Sequence, residues 1–233
     1  MGVRIDRVRV GITNTYLLRE RGAVVIDPGA PRKGRAVVRR LQALLGREGR
    51  VDLMVATHGH FDHVGAAADL GRALGAPLAV HRGDAEWVRS ATWTWPQALT
   101  PWGRVMRNVL GPVFSRFLRF EPVDPDIVIE DGLDLEPYGI RGHVVHTPGH
   151  SPGSVSVVLE GGEAFVGDLA MNGPPMCLRP SFGIFAHQPE LIPASWQRLL
   201  ELGARTIYPA HGRPFPASAL PSRGPVSFPR PAR

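Results

Sequence analysis

The sequence predicts an α/β protein in which sheets stack face to face with helices on the outside. Two observations lead there. In the first half, short runs of β-branched and apolar residues alternate with segments whose apolar residues recur at helical spacing, and in the second half strands follow one another in runs. The 233 residues, 43% of them hydrophobic, are enough to bury one large core without help.

Taken in order, Val3 to Val10 and Thr15 to Arg19 read as strands joined at Gly11 to Asn14, and Val24 to Asp27 as a third stopped by Pro28-Gly29. Val37, Val38, Leu41, Leu44 and Leu45 give Arg35 to Leu45 a helical period. Leu53 to Ala56 is a buried strand, Asp62 to Leu74 a helix, Pro77 to Val80 a strand and Gly83 to Arg89 a short helix. Residues 91–120 interrupt the alternation with Trp93, Trp95 and Trp102. Val105, Met106, Val109, Leu110, Val113, Phe114, Phe117 and Leu118 follow on one helical face, with a kink expected at Pro112. Arginines flank this stripe, so a membrane-surface helix competes with a lid over a site; the lid is preferred. Strands return at Ile127 to Ile129, Asp134 to Glu136, Ile140 to Val145, Val155 to Leu159 and Ala164 to Val166. A loop rich in proline and glycine (Asn172 to Pro189) precedes a helix at Pro193 to Leu202 and a strand at Thr206 to Tyr208. One domain is expected over residues 1–213. The segment 214–233, with six prolines and no periodicity, is expected to be a mobile tail.

Composition narrows the function. A single cysteine, Cys177, excludes an internal disulfide framework. No run of about 18 apolar residues is present and the N-terminus has no signal-peptide core, so a cytoplasmic protein is the expectation. The net charge is +6, but Lys33 is the only lysine and the arginines are scattered. A taste for arginine codons explains this better than a nucleic-acid surface, which needs clustered basic and stacking residues.

One block carries chemistry: Thr57-His58-Gly59-His60-Phe61-Asp62-His63, directly after a strand. In extended backbone His58 and His60 project on the same side, and Asp62 and His63 follow where the chain turns into a helix. Three imidazoles and a carboxylate suit Zn²⁺, Fe²⁺ or Mn²⁺ better than Ca²⁺. Beyond later strands stand His150 in Thr-Pro-Gly-His-Ser, Asp168 in Val-Gly-Asp and His211 in Pro-Ala-His-Gly. The seven make two sets of three plus one carboxylate able to bridge, with Asp168 the bridge. Asp27 reads equally as support for a ligating imidazole or as a turn aspartate. His146 reads as pocket wall or supporting residue, and His81, His143 and His187 as ordinary surface or core histidines.

With these segments, and Val25-Ile26-Asp27-Pro28-Gly29 before them, the chain resembles the metallo-β-lactamase superfamily over about residues 5–213. The resemblance implies an αββα sandwich with the site at one edge of the paired sheets. It implies two divalent metal ions, zinc first with Fe²⁺ or Mn²⁺ as alternatives. It assigns His58, His60 and His150 to one metal, Asp62, His63 and His211 to the other, and Asp168 to both. Aspartate at 168 with histidine at 63 is similar to the hydroxyacylglutathione hydrolase (glyoxalase II) branch rather than to the zinc β-lactamases. Two departures stand out. Ala66 replaces a common glycine, and only a short tail follows His211 where glyoxalase II carries a helical domain that grips glutathione.

The expected activity is binuclear hydrolysis of a small ester, thioester or lactone by a metal-bridging hydroxide, with Asp62 handling the proton or, equally, serving as a plain ligand. The partner is then a small acyl substrate, not nucleic acid or membrane, and a homodimer is left open. A mononuclear iron persulfide dioxygenase using His58, His150 and Asp168 is the first alternative. A metal-dependent RNA or DNA phosphodiesterase is the second, and a non-catalytic metal-holding module ranks last.

Overall fold

The computed structural model describes residues 2–46, 49–114, 118–173, 177 and 179–221. In chain order it contains β1 (Arg4–Arg9), β2 (Asn14–Arg19), β3 (Ala23–Ile26), α1 (Gly34–Leu45), β4 (Leu53–Val55), α2 (Phe61–Val64), α3 (Ala67–Leu74), β5 (Leu78–His81) and α4 (Arg82–Ser90). There follow β6 (Gln97–Ala98), α5 (Pro101–Val105), a π-helical turn (Met106–Leu110), α6 (Gly111–Phe114), β7 (Ile127–Ile129), β8 (Gly132–Asp134), β9 (Gly142–His146), β10 (Val155–Leu159) and β11 (Glu163–Gly167). The chain closes with β12 (Phe185–Ala186), α7 (Ile192–Glu201), β13 (Thr206–Pro209) and β14 (Phe215–Pro216).

The strands form two mixed six-stranded sheets, ordered β1-β2-β3-β4-β5-β7 and β14-β13-β11-β10-β9-β8. Every strand up to β7, apart from β6, lies in the first sheet, and every later strand apart from β12 lies in the second. The chain therefore crosses between them once, at residues 130–131. Burial explains the layers. Leu18, Val24, Ile26, Leu53 and Val55 of the first sheet meet Val144, Val155, Val157 and Phe165 of the second. Their neighbours Leu17, Val25 and Met54 point the other way, under Val37, Leu41, Leu70 and Val88 of the helices. On the far side Val158, Ala164 and Ile207 pack beneath Ile192, Trp196 and Leu199. The central strands are covered on both faces, which is why they read as continuous apolar runs rather than alternating ones. The result is the expected αββα sandwich.

Several boundaries differ from expectation for local reasons. The helix expected over Asp62 to Leu74 is two helices. The Ala66 amide donates to the Gly29 carbonyl (2.9 Å) instead of continuing the helical ladder. A Cβ on Gly65 would lie 2.4 Å from the Pro31 ring, so the Pro-Gly turn after β3 presses into the break. The strand expected at Asp134 to Glu136 lies earlier. Asp134 Oδ1 accepts from the Glu136 amide (3.0 Å), and Pro137 starts a 3₁₀ turn that closes at Gly139 with φ +76°. In residues 91–120 the expected continuous stripe gives way to a strand, two short helices and the π-turn, and Val105 and Val109 are exposed. Leu110, Val113, Phe114 and Phe117 of that stripe lie outside the described side chains. The tail expected from Pro214 contributes its first residues to the fold: β14 pairs with β13, and Phe215, Ala217 and Leu220 are buried. Residues 222–233 lie outside the described residues.

Candidate metal centre

All seven sequence-chosen donors converge at one end of the sandwich and all are buried. The loop after β4 carries His58, and His60 caps α2, whose first turns hold Asp62 and His63. From the second sheet come His150 after β9, Asp168 after β11 and His211 after β13. Three triads lie with their donor atoms mutually within 4.8 Å: His58, His60, His150; His58, His63, Asp168; and Asp62, His63, His211. His60 Nδ1 and His150 Nε2 are 3.0 Å apart, the separation of two nitrogens sharing one proton or one cation. Asp168 reaches both sides. Its Oδ2 is 3.7 Å from His150 Nε2, while Oδ1 is 3.3 Å from His211 Nε2 and 3.5 Å from His63 Nε2.

The opposite edges of the rings are tied down by the fold. His150 Nδ1 donates to the Phe185 carbonyl (3.1 Å) and His211 Nδ1 to the Ile12 carbonyl (3.0 Å), which frees each Nε2 lone pair for the site. His63 Nδ1 donates to Asp27 Oδ2 at 2.9 Å. Asp27 also accepts from the Thr57 amide (2.8 Å) and hydroxyl (2.9 Å), leaving that hydroxyl to accept from His58 Nδ1 (3.2 Å). Both readings of Asp27 hold at once: it supports two imidazoles, and it sits in the turn with φ +54°, a left-handed conformation costly for a non-glycine residue.

Buried polar atoms test whether a cation fits. His58 Nε2, His63 Nε2 and Asp168 Oδ1 are buried with no hydrogen-bond partner. Each such atom costs about 1–3 kcal/mol unless something satisfies it. A soft-to-borderline divalent cation fits this nitrogen-rich set, and Asp62 and Asp168 supply negative charge. Electrostatics divide the set in two. Burial, reinforced by neighbouring imidazoles, holds His58 and His60 well below the usual histidine range. His150 is lowered by burial against the pull of Asp168. For His63, burial is outweighed by Asp27, Asp62 and Asp168, which push it up to about 10. His211 rises for the same reason, against Asp168 and Asp62. Both carboxylates stay well below their usual range, because His63 and His211 outweigh burial.

Sequence reasoning missed other parts. Thr13 donates to Asp62 Oδ2 (3.1 Å). Asp84 in α4, fully buried, accepts from the Gly59 amide (2.8 Å), the Gly153 amide (2.8 Å) and the Ser151 hydroxyl (2.6 Å). One carboxylate thereby locks the His58–His60 loop to the His150 loop. Burial raises its pKa, opposed by these bonds. His60 is parallel to Trp87, ring centroids 5.7 Å apart, and His187 tilts against both. His146 is no part of the pocket wall. It stacks on His81 at 4.0 Å and donates to the Pro152 carbonyl (2.9 Å), a supporting role. The donors open into a cavity of about 260 Å³ whose other walls are apolar, including Trp93, Trp95 and Met106 of the 91–120 insertion.

A model described as the metallo-beta-lactamase superfamily matches residues 8–211. The chain belongs to that superfamily. Among its curated superfamily relatives, the "Probable metallo-hydrolase YflN" of Bacillus subtilis is 26% identical over 173 residues, 72% of this chain and 64% of the relative. The hydroxyacylglutathione hydrolase of Anaeromyxobacter dehalogenans is 33% identical over 187 residues, 76% of this chain. The chain spans 57% of that hydrolase, so each relative is matched over less than two thirds of its length. Of solved structures, the BLEG-1 B3 metallo-beta-lactamase superposes with TM-score 0.69 at 24% identity, covering 93% of this chain and 95% of its own; that likeness is one of fold. TTHA1623 in a di-iron-bound form superposes with TM-score 0.64 at 27% identity, covering 92% and 96%. No helix among the described residues is long and apolar enough to cross a membrane.

Proposed function

We propose that this chain is a metal-dependent hydrolase that holds a pair of divalent cations, zinc first among them, and cleaves a small ester, thioester or lactone with water. The observation that carries the reading is the convergence of seven buried donors, three of whose site-facing atoms have no hydrogen-bond partner. His58, His60 and His150 would hold one cation and Asp62, His63 and His211 the other. Asp168, with one oxygen toward each side, would serve both. Bound there, the cations would supply Lewis acidity, lowering the pKa of water from about 15.7 to about 7 and polarising an acyl oxygen.

The chain's own residues do the rest. Asp62 is fixed by Thr13 and lines the cavity, which supports assigning its carboxylate the proton of the attacking water. Asp27 and the Phe185 and Ile12 carbonyls hold the rings in the tautomers that present lone pairs to the site. The apolar walls keep bulk water away from the acyl group. In the net reaction the acyl carbon–heteroatom bond breaks and water's oxygen joins the acyl carbon. One proton leaves with the alcohol or thiol, and the other with the acid.

The hydroxyacylglutathione hydrolase relative and the Asp168 and His63 pairing support the glyoxalase II-like branch, and the di-iron form of TTHA1623 supports a site for two ions. The reading is tested by metal content of protein purified without added metal, together with a panel of esters, thioesters and lactones. About two metals per chain with turnover is expected; under one metal and no turnover of any acyl compound refutes it. One iron per chain with sulfide-linked oxygen uptake would replace it with the dioxygenase.

A further inference from the structure

The geometry points to a neutral, apolar acyl or aryl group as the ligand of the cavity beside the seven donors, selected by Trp93 and Trp95 and refused when it carries negative charge. This rests on the hydrolase reading and names the substrate class of the same site. Trp93 lies 5.3 Å from both the His60 and Phe61 rings, and Trp95 lies 4.8 Å from Trp93 and 5.8 Å from Phe185. The four aromatic rings thus form an arc that begins at a proposed metal ligand and runs outward along the cavity wall. A guest must lie against ring faces and edges, which favours apolar carbon.

The arc is fixed in place. Ala98 and Gln97 pair with Phe185 and Ala186, and the Leu99 amide donates to the Ile184 carbonyl (2.8 Å). The same Phe185 carbonyl accepts from His150, so the wall and the donor set share one strand. Trp95 is seated against Gly111, where a Cβ would lie 2.8 Å from its ring, so the helix leaves room for the indole and for nothing larger. Residues 93–99 are a pinned roof with a preformed shape.

Charge decides the rest. Among the described lining residues there is no lysine or arginine, and every ionisable side chain is one of the proposed metal donors, so the outer walls offer no partner to an anionic group. A peptide-like anion such as glutathione, with two carboxylates, would lose hydration against the apolar walls with no basic side chain among them to replace it. An acyl chain has no such hydration to lose, and a methyl ketone gives up only that of one carbonyl. An apolar cavity of about 150 Å³ accepts a benzene ring. At about 260 Å³, this cavity is larger than that and takes a correspondingly longer group.

The test uses the metal-loaded protein and two readouts. Binding is followed by calorimetry and tryptophan fluorescence with 2-octanone, which has no bond to hydrolyse, against S-methylglutathione. Turnover is followed with p-nitrophenyl esters from acetate to octanoate, and with the p-nitrophenyl monoester of adipate beside that of hexanoate. 2-Octanone is expected to bind at least tenfold tighter than S-methylglutathione. kcat/KM is expected to rise about fourfold per methylene until the cavity fills, and the adipate ester to fall at least a hundredfold below hexanoate. Trp93→Ala should flatten the chain-length series. Trp93→Leu, which keeps apolar volume, serves if the alanine variant does not fold, and should retain the series while weakening turnover of p-nitrophenyl naphthoate, added to the panel, relative to the octanoate ester. Equal or tighter binding of S-methylglutathione, or a flat series in the unmodified protein, overturns the inference. Selective binding of 2-octanone with no ester turned over supports the ligand class and defeats the hydrolase reading instead.

Discussion

Asp84 gives a quantitative test of how the two halves of the centre are held together. Replacing it with alanine removes the acceptor for the buried Gly59 and Gly153 amides and for the Ser151 hydroxyl. Ser151 keeps a second partner, since Ser154 Oγ lies 2.8 Å away, so its loss is small. Among the described residues the two amides have no second acceptor, and each unsatisfied buried donor costs about 1–3 kcal/mol. Asp84→Ala should therefore destabilise the fold by about 2–5 kcal/mol, a fall of roughly 5–15 °C in Tm for a chain of this length. Because those amides sit in the loops of His58–His60 and His150, metal affinity should fall with stability, by about 10–100-fold on the scale seen for groups that orient ligands. Urea unfolding of metal-free protein gives the first quantity and competition with a chelating dye the second. A change in stability below about 1 kcal/mol with full metal retention would show that water replaces the carboxylate and that the clamp is unimportant.

Asp27→Ala should leave His63 and Thr57 unsupported and lower metal content and kcat/KM by about 10–100-fold, measured by elemental analysis and turnover. Gly153→Ala would put a Cβ 2.5 Å from the Asp84 amide nitrogen, and should cost about 1–3 kcal/mol in urea unfolding through overpacking. Acid stability carries a sign that can be checked. His81 is held below the usual histidine range by burial and by His146, so the folded state prefers it neutral. That contribution is complete above about pH 6.5 and is lost as pH falls through the lower folded value. His81→Gln, which keeps a donor toward the Glu130 carbonyl, should make the loss of stability between pH 6.5 and 5 shallower in urea titrations of metal-free protein; an unchanged slope would contradict it.

The donors were legible because their chemistry leaves few other uses. Three histidines and an aspartate after an apolar strand have little reason to gather except a cation, and glycine or proline beside His150, Asp168 and His211 marked the ends of later strands. The two-layer sheet stack was legible for a related reason, since strands as apolar as β3, β4 and β10 must be covered twice. What escaped reading depends on tertiary neighbours. Asp84 looks like any acidic residue in a first helical turn, and only the docking of the Gly59 and Gly153 loops makes it a clamp. Thr13 and the Ile12 and Phe185 carbonyls act through backbone positions that composition does not mark. The break at Gly65 comes from the Pro31 ring, some thirty residues earlier. Within residues 91–120 the strand at Gln97–Ala98 follows from pairing with Phe185 and Ala186, which helical periodicity cannot register.

A polypeptide that passes only once from one sheet to the other keeps its two stretches of sequence topologically separable. His58, His60, Asp62 and His63 belong to the first stretch and His150, Asp168 and His211 to the second, so neither alone owns a full coordination sphere. Cutting the link at residues 130–131 should give two fragments whose reassociation is strengthened by the ion, and uptake of the ion would then time the moment at which the halves close.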